Sequence, residues 1–188
     1  MLLKAKDRMI TSTIELIATN GVVGTGISEL IERSDVSRRT MYVNFPGGKS
    51  ELVTDATRHA GRSMTETLTG FLADSRVEIA LPAFGGWWAE TLEASAFTRG
   101  CPMMAAVLGR TEVPAAADCA EETFERWADL LEARLEIDGV DSKESHSLAV
   151  TIVAAIEGAV LTSLAARSTE PLDQVIRQMA RLVAVTAA

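Results

Sequence analysis

The sequence predicts an all-α protein, with a small three-helix head on a larger helical body, and three observations carry that expectation. Apolar residues recur at three- and four-residue spacing along most of the chain. No sustained alternation of apolar and polar residues appears, and aromatic residues make up only 5%. Proline, glycine, Asn20-Gly21 and Asp138-Gly139 fall between the periodic stretches, where helices stop.

The first helix is expected over about residues 4–19, with Ile10, Ile14 and Ile17 on one face and Asn20-Gly21 as its end. A short second helix follows Thr25-Gly26, turning Ile27, Leu30 and Ile31 inward and placing Glu29 near its positive end. Ser34-Asp35-Val36 makes a turn. Ser37 is a good N-cap for a third helix over about 38–44, which Pro46-Gly47-Gly48 ends. A fourth helix starts near Lys49 and reaches towards Leu72. The body continues with a helix near 76–95, which Pro82 and Gly85-Gly86 should kink or split. Residues 98–102 read as a loop and 103–110 as a short helix. Further helices are expected over 116–137, 142–167 and 171–185, the last with Pro171 in its first turn.

Composition narrows the class. The chain has 188 residues, 47% of them hydrophobic, enough for a sizeable core without metal or disulfides. Its two cysteines, Cys101 and Cys119, and two histidines, His59 and His146, make no metal-ligand pattern. Neither a metal nor a cofactor is expected. The opening stretch lacks the apolar core of a secretory signal. The most apolar segment, 148–166, is interrupted by Thr151, Glu157, Gly158 and Ser163 and is not expected to cross a membrane. A cytoplasmic, reducing setting is the expectation. The net charge of −8 is unevenly spread. Residues 1–62 hold nine Lys/Arg and seven Asp/Glu, a net of +2, and residues 63–188 hold nine and nineteen, a net of −10. A modest basic footprint on an acidic body suits a nucleic-acid contact at the N-terminal end.

The head has the layout of a helix-turn-helix, in which a short second helix follows a tight turn and presents polar residues to the major groove. Val36, Met41 and Phe45 can point inward while Arg38, Arg39 and Thr40 stand outward at the leading end. Arginine reads guanine edges bidentately or grips phosphate, and threonine can touch a base or a thymine methyl. The Tyr42 hydroxyl suits a phosphate oxygen. Lys49, with the amides that open the fourth helix, could hold another. The same pattern also fits a plain three-helix core with a solvated arginine face. The stretches Thr25-Gly26-Ile27-Ser28-Glu29-Leu30-Ile31 and Val36-Ser37-Arg38-Arg39-Thr40-Met41-Tyr42-Val43-Asn44-Phe45 resemble the N-terminal domain of the TetR family of regulators. Asn20-Gly21 and Lys49-Ser50-Glu51-Leu52 extend that resemblance over residues 8–55. It implies that Thr25, Ser37 and Asn44 join Arg38, Arg39, Thr40, Tyr42 and Lys49 on the DNA side. Three positions depart from the family's pattern. Asp35 stands where glycine is usual, Thr13 where a small residue is usual, and one extra residue separates Phe45 from Lys49. That spacing, with Arg99-Gly100-Cys101-Pro102 and Ala155-Ile156-Glu157-Gly158-Ala159, resembles the LmrA/YxaF-like branch.

The resemblance implies a head over 1–48 and a body over 49–188 that binds a ligand and pairs with a second copy. It also implies a double-stranded operator and repression relieved by a small apolar or aromatic molecule. Phe84, Trp87, Trp88, Phe97, Met103, Met104 and Trp127 concentrate the area that lines adaptable pockets, and the same set would serve as ordinary core. Glu157, inside an apolar run, could face a ligand hydroxyl or amine, an arginine such as Arg167 or Arg181, or solvent. Cys101 is either a pocket thiol activated by Arg99 or a small buried hydrophobe. Small residues in 142–167 and the apolar stripe of 171–185 make those two helices the expected homodimer interface. Ligand binding is expected to shift the fourth helix and with it the spacing of two recognition helices. No catalytic triad, phosphate loop or metal cluster is present in the sequence, so an enzyme is not expected. The rival expectation is a helical regulator that senses oxidation through Cys101 or Cys119, or recruits a protein, without a small-molecule inducer.

Overall fold

A computed structural model describes residues 4–187. Among the described residues there are nine helices and no strand. They are α1 (Ala5–Gly24), α2 (Ile27–Arg33), α3 (Arg38–Asn44), α4 (Gly48–Leu72), α5 (Val77–Ala94), α6 (Pro102–Leu108), α7 (Pro114–Asp138), α8 (Ser142–Ala166) and α9 (Glu170–Thr186). The all-α expectation holds. Residues 1–3 and 188, which the expected domain spans include, lie outside the described residues.

Two compact units form, each discontinuous in sequence. The first joins the residues up to Ser63 with Cys101–Thr123, and the second joins Met64–Gly100 with the residues from Phe124 onward. This division does not coincide with a cut between 48 and 49. The reason is local packing: α4 runs unbroken from Gly48 to Leu72, and α6 packs on α1.

In the first unit, Met9, Ile10, Leu16, Leu30, Met41, Phe45, Leu52 and Ala56 make one apolar cluster, with Ile14, Ile27, Ile31 and Val36 packed at its edge. The i, i+3, i+4 spacing on α1–α3 turns these residues to one side. Gly21 breaks α1 with non-helical angles, so the stop expected at Asn20-Gly21 appears as a kink inside the assigned span. Thr13, the odd residue of α1, is fully buried and donates its hydroxyl to the Met9 carbonyl at 2.7 Å.

In the second unit, α9 packs on both α5 and α8. The kink expected at Pro82 and Gly85-Gly86 does not split α5, which runs without a break from Val77 to Ala94. Pro82 is exposed, where water can satisfy the carbonyl its missing N–H leaves over, and Gly85 is buried against Ile176. Asp138 binds α5 to α7: one carboxylate oxygen accepts the Val77 N–H at 2.6 Å and the other pairs with Arg134 at 3.0 Å. Helix α8 is long and apolar enough to cross a membrane by length and composition alone, and 44% of its most apolar window is buried within the fold.

Candidate nucleic-acid interface and apolar cavity

Helix α3 is short, so its ends decide its stability. The Ser37 hydroxyl accepts the Thr40 N–H at 3.0 Å and shares a second hydrogen bond with the Thr40 hydroxyl at 2.8 Å. Such a cap contributes about 1 kcal/mol. Met41 and Phe45, four residues apart, are both fully buried. Each apolar side chain taken out of water this way stabilises by roughly 1.5–3 kcal/mol. With that face inward, Arg38, Arg39, Tyr42 and Val43 are exposed. Neither arginine has a hydrogen-bond or ion-pair partner within the described residues, so both guanidinium forks are available for a partner.

The turn ahead of α3 is held from α1. Asp35 takes a left-handed conformation, φ 50°, the role glycine usually fills. Arg8 donates to the Ser34 carbonyl at 3.0 Å and to the Asp35 carbonyl at 2.9 Å. After α3, the extra residue in the connection to α4 is absorbed by Gly48. Its φ of 67° suits glycine, and a Cβ there would meet the Tyr42 ring at 3.5 Å. Glu51 reaches back to accept the Gly47 N–H at 2.8 Å. Lys49 then stands at the start of α4, its ammonium paired with Glu112 from the connection between α6 and α7.

The second unit contains a cavity lined from four helices. Leu68, Phe71 and Leu72 come from α4 and Ala80, Leu81, Phe84 and Trp88 from α5. Trp127 and Leu131 come from α7, and Ile152, Val153, Ile156 and Glu157 from α8. Its empty volume is about 460 Å³, including space at the mouth, and only about 30 Å³ of that can hold the centre of a water molecule. A larger guest must therefore displace side chains. Glu157, 6% exposed, is the one charged residue of the lining. The Trp127 indole N–H is satisfied by the Thr65 hydroxyl at 2.9 Å.

The chain matches two family descriptions. Residues 9–56 match the bacterial regulatory proteins of the tetR family. Residues 77–178 match the C-terminal domain of LmrA/YxaF-like transcriptional regulators. An uncharacterised HTH-type transcriptional regulator of Mycobacterium tuberculosis is 30% identical over 184 residues, covering 95% of this chain and 93% of that one. This chain belongs to the TetR family. The HTH-type transcriptional regulator LmrA of Bacillus subtilis is 26% identical, over 89% of this chain and 90% of its own. A TetR regulator of Legionella pneumophila shares the fold, with a TM-score of 0.85 at 19% identity over 96% of this chain and 98% of that one. TetR-family proteins are DNA-binding transcriptional regulators rather than enzymes, and this chain is one of them.

On this TetR-family head, the residues expected at DNA are placed unequally. Arg38, Arg39 and Tyr42 stand out in solvent. Ser37 is exposed but engaged as a cap, and Thr40 is half-buried beside it. Asn44 is half-buried and donates to the Thr40 carbonyl at 2.8 Å. Thr25 is fully buried and donates its hydroxyl back to the Gly21 carbonyl at 2.8 Å, so its side chain is engaged at the end of α1. Val43, which sequence reasoning did not single out, is 71% exposed, and its position four residues after Arg39 puts the two on one face. Sequence reasoning also missed Arg8, whose two carbonyl partners lie 26 and 27 residues away and leave no local signal.

The residues expected in the pocket scatter more widely. Phe84, Trp88, Trp127 and Glu157 line the cavity together. Trp87 does not; it stacks on Phe84, ring centres 5.6 Å apart, and meets Trp88 edge-on. Phe97 lies past the end of α5 in a left-handed turn, φ 58°. Cys101 and Met103 are buried and Met104 half-buried in the first unit, where α6 packs on α1. These three are near the α5 aromatics in sequence but not in the same unit, because Pro102 starts a new helix that packs on α1. The aliphatic half of the lining, from Leu68 to Ile156, went unsingled because leucine and isoleucine at helical spacing mark every core alike.

Proposed function

We propose that this chain is a ligand-released repressor. It binds an inverted-repeat operator as a homodimer in the cytoplasm, and a small apolar or aromatic molecule entering the second unit frees it from DNA. The observation that carries the ligand reading is the cavity of α4, α5, α7 and α8, apolar on every side except at Glu157. Sites for small apolar ligands are built in this way, with few polar groups to fix orientation. Arg38 and Arg39 read guanine edges or grip phosphate, Val43 meets a thymine methyl, and Tyr42 and Lys49 hold the backbone.

The homodimer reading rests on a face of α8 and α9 that this chain leaves uncovered. Val150, Ala154, Gly158 and Leu161 on α8, with Leu182 and Val185 on α9, are all exposed. A Cβ on Gly158 would meet nothing within 4 Å, so a second backbone can approach closely there. A two-fold arrangement of these helices gives a four-helix interface and presents α3 twice, hence an inverted repeat. Leu182→Glu places a charge in that interface and should yield monomers with weak operator binding. Light scattering that gives a one-chain mass for the unaltered protein would rule the dimer out.

The test of ligand release uses the tryptophans. Trp88 and Trp127 line the cavity and Trp87 stacks behind it, so a guest should quench their fluorescence and raise the melting temperature. A panel of aromatic drugs and flavonoids, titrated first against the protein and then against its operator complex, should contain a compound that does both and releases DNA. If no compound quenches, shifts the melt or releases DNA, the ligand reading is lost and the DNA-binding one stands.

A further inference from the structure

Among the described residues, Lys49 is the one member of the proposed DNA-side set whose charge is already answered by an ion pair. We propose that Glu112 occupies the phosphate site of Lys49 in the DNA-free protein, so that operator phosphate and Glu112 compete for the same ammonium. The inference rests on the reading of Lys49 as a phosphate ligand. It adds a residue outside the helix-turn-helix that sets the strength of DNA binding.

Three observations support it. First, the Lys49 ammonium and the Glu112 carboxylate form an ion pair in which the lysine side chain keeps only 17% of its exposure and the glutamate 36%. A carboxylate oxygen at an ammonium is the same chemical partner as a phosphate oxygen, an anionic acceptor with no donor of its own. Second, Glu112 is not carried on a wandering loop. Its N–H and that of Val113 both donate to the Gly109 carbonyl at 3.0 Å. Gly109 lies so close to α1 that a Cβ there would come within 2.5 Å of Val22 Cβ, and Arg110 is clamped by Asp118 and Glu121. The turn that carries Glu112 is thus fixed on the same unit as α3 and Lys49. Third, the charge of that unit is affected. The N-terminal 63 residues carry nine Lys/Arg and seven Asp/Glu, whereas adding residues 101–123 brings one arginine and four carboxylates and turns +2 into −1. With two of those carboxylates clamping Arg110, Glu112 is the one placed on a DNA-side cation.

The competition has a definite arithmetic. Each phosphate neutralised by a lysine releases counterions and contributes about −0.9 to the slope of log K against log salt. A lysine that must first leave a carboxylate returns part of that release, because the freed carboxylate regains its own counterions. Removing the carboxylate charge should therefore tighten binding and steepen the salt dependence.

The experiment compares Glu112→Gln, Lys49→Ala and the double variant, using a labelled duplex of arbitrary sequence at low salt, because a phosphate contact is independent of sequence. Melting curves confirm that each variant is folded. Glu112→Gln keeps the side-chain shape and should tighten binding about two- to five-fold, the range of a solvent-exposed ion pair, with a steeper salt slope. Lys49→Ala should weaken binding, and in its background Glu112→Gln should have no further effect. If Lys49→Ala leaves affinity unchanged, the phosphate reading itself is wrong. If Lys49→Ala weakens binding but Glu112→Gln is silent or also weakens it, the competition is overturned, and in the second case Glu112 orients Lys49 instead. A tightening by Glu112→Gln that persists without Lys49 would also overturn it, since the effect would then come from the field of the unit as a whole.

Discussion

The face of α3 and the cavity of the second unit are opposite solutions to the problem of meeting a partner. On α3, polar groups stand out and apolar ones anchor: Arg38 and Arg39 are exposed while Met41 and Phe45 are fully buried behind them. In the cavity the apolar groups themselves are the surface offered, and a single carboxylate, Glu157, interrupts them. The first arrangement recognises a charged, hydrogen-bonding polymer and needs a rigid support. The second, if it holds the proposed ligand, must select it mainly by shape and must yield, because little of its volume is open as it stands. A reading surface therefore depends on its anchors, and a sensing cavity on the freedom of its walls.

The largest expected effect breaks the first region at its anchor. Phe45→Ala removes a fully buried ring from the cluster of Met9, Leu30, Met41 and Leu52. Substitutions of this kind cost about 3–5 kcal/mol. Urea unfolding should show that loss, and operator binding should go with it. A protein that keeps its stability after this change would mean that α3 is held by something other than its apolar face.

The matching test of the second region uses Ile152, fully buried and part of the cavity wall. Ile152→Ala should cost about 2–5 kcal/mol. Unlike the change at Phe45, it also enlarges the cavity proposed to hold the ligand. Bulkier aromatic compounds should then raise the melting temperature of the variant more than that of the unaltered protein. Equal or smaller shifts would mean that the cavity is a packing defect rather than a ligand site.

The two regions also differed in how far the sequence disclosed them. Helix α3, its Ser37 cap and its inward Met41 and Phe45 were legible because each depends on residues within one or two turns. The left-handed Asp35 was legible for the same reason, as a residue type that tolerates that conformation. What was hidden in the head was non-local: the reach of Arg8 to the turn, the burial of Thr25 and the pairing of Lys49 with Glu112, 63 residues away. The cavity is non-local throughout. Its walls come from four helices, and nothing in the local pattern separates Leu68 or Ile152 from any other core residue. The aromatic and thioether cluster drew attention to Trp88 and Trp127, which line the cavity, and to Met103 and Cys101, which lie in the first unit, because composition marks a neighbourhood in sequence rather than in space.

A smaller effect is expected at the unanchored tips of the reading face. Arg38→Ala and Arg39→Ala remove exposed side chains with no internal partner, so neither should alter stability by more than about 0.5 kcal/mol. Selection of sites from random DNA should show that at least one of them relaxes the preference for guanine at a symmetric pair of positions, a loss of about 1–3 kcal/mol in discrimination. The other should lower affinity evenly if its contact is to phosphate. Two silent variants, with no palindrome among the selected sites, would remove α3 as the reader of DNA.

The smallest effect, and the one that sharpens the contrast most, belongs to Val43. It is an apolar side chain left 71% exposed on a face otherwise made of charge and hydroxyl. In the free protein it has almost nothing to lose, so Val43→Ala should leave the unfolding curve unchanged. The same isopropyl group stands one helical turn beyond Arg39, and the proposed partner for it in the major groove is a thymine methyl. Two methyl groups taken from such a contact amount to about 1–2 kcal/mol of apolar burial at most. The expected outcome is therefore narrow. One symmetric pair of positions should lose its preference for thymine, with guanine preferences and salt dependence unchanged. Binding to a site in which uracil replaces that thymine should be weakened for the unaltered protein and indifferent to the Val43→Ala change. Equal sensitivity to uracil in both proteins would place the methyl contact elsewhere on the head and leave Val43 an exposed apolar residue without a role in reading.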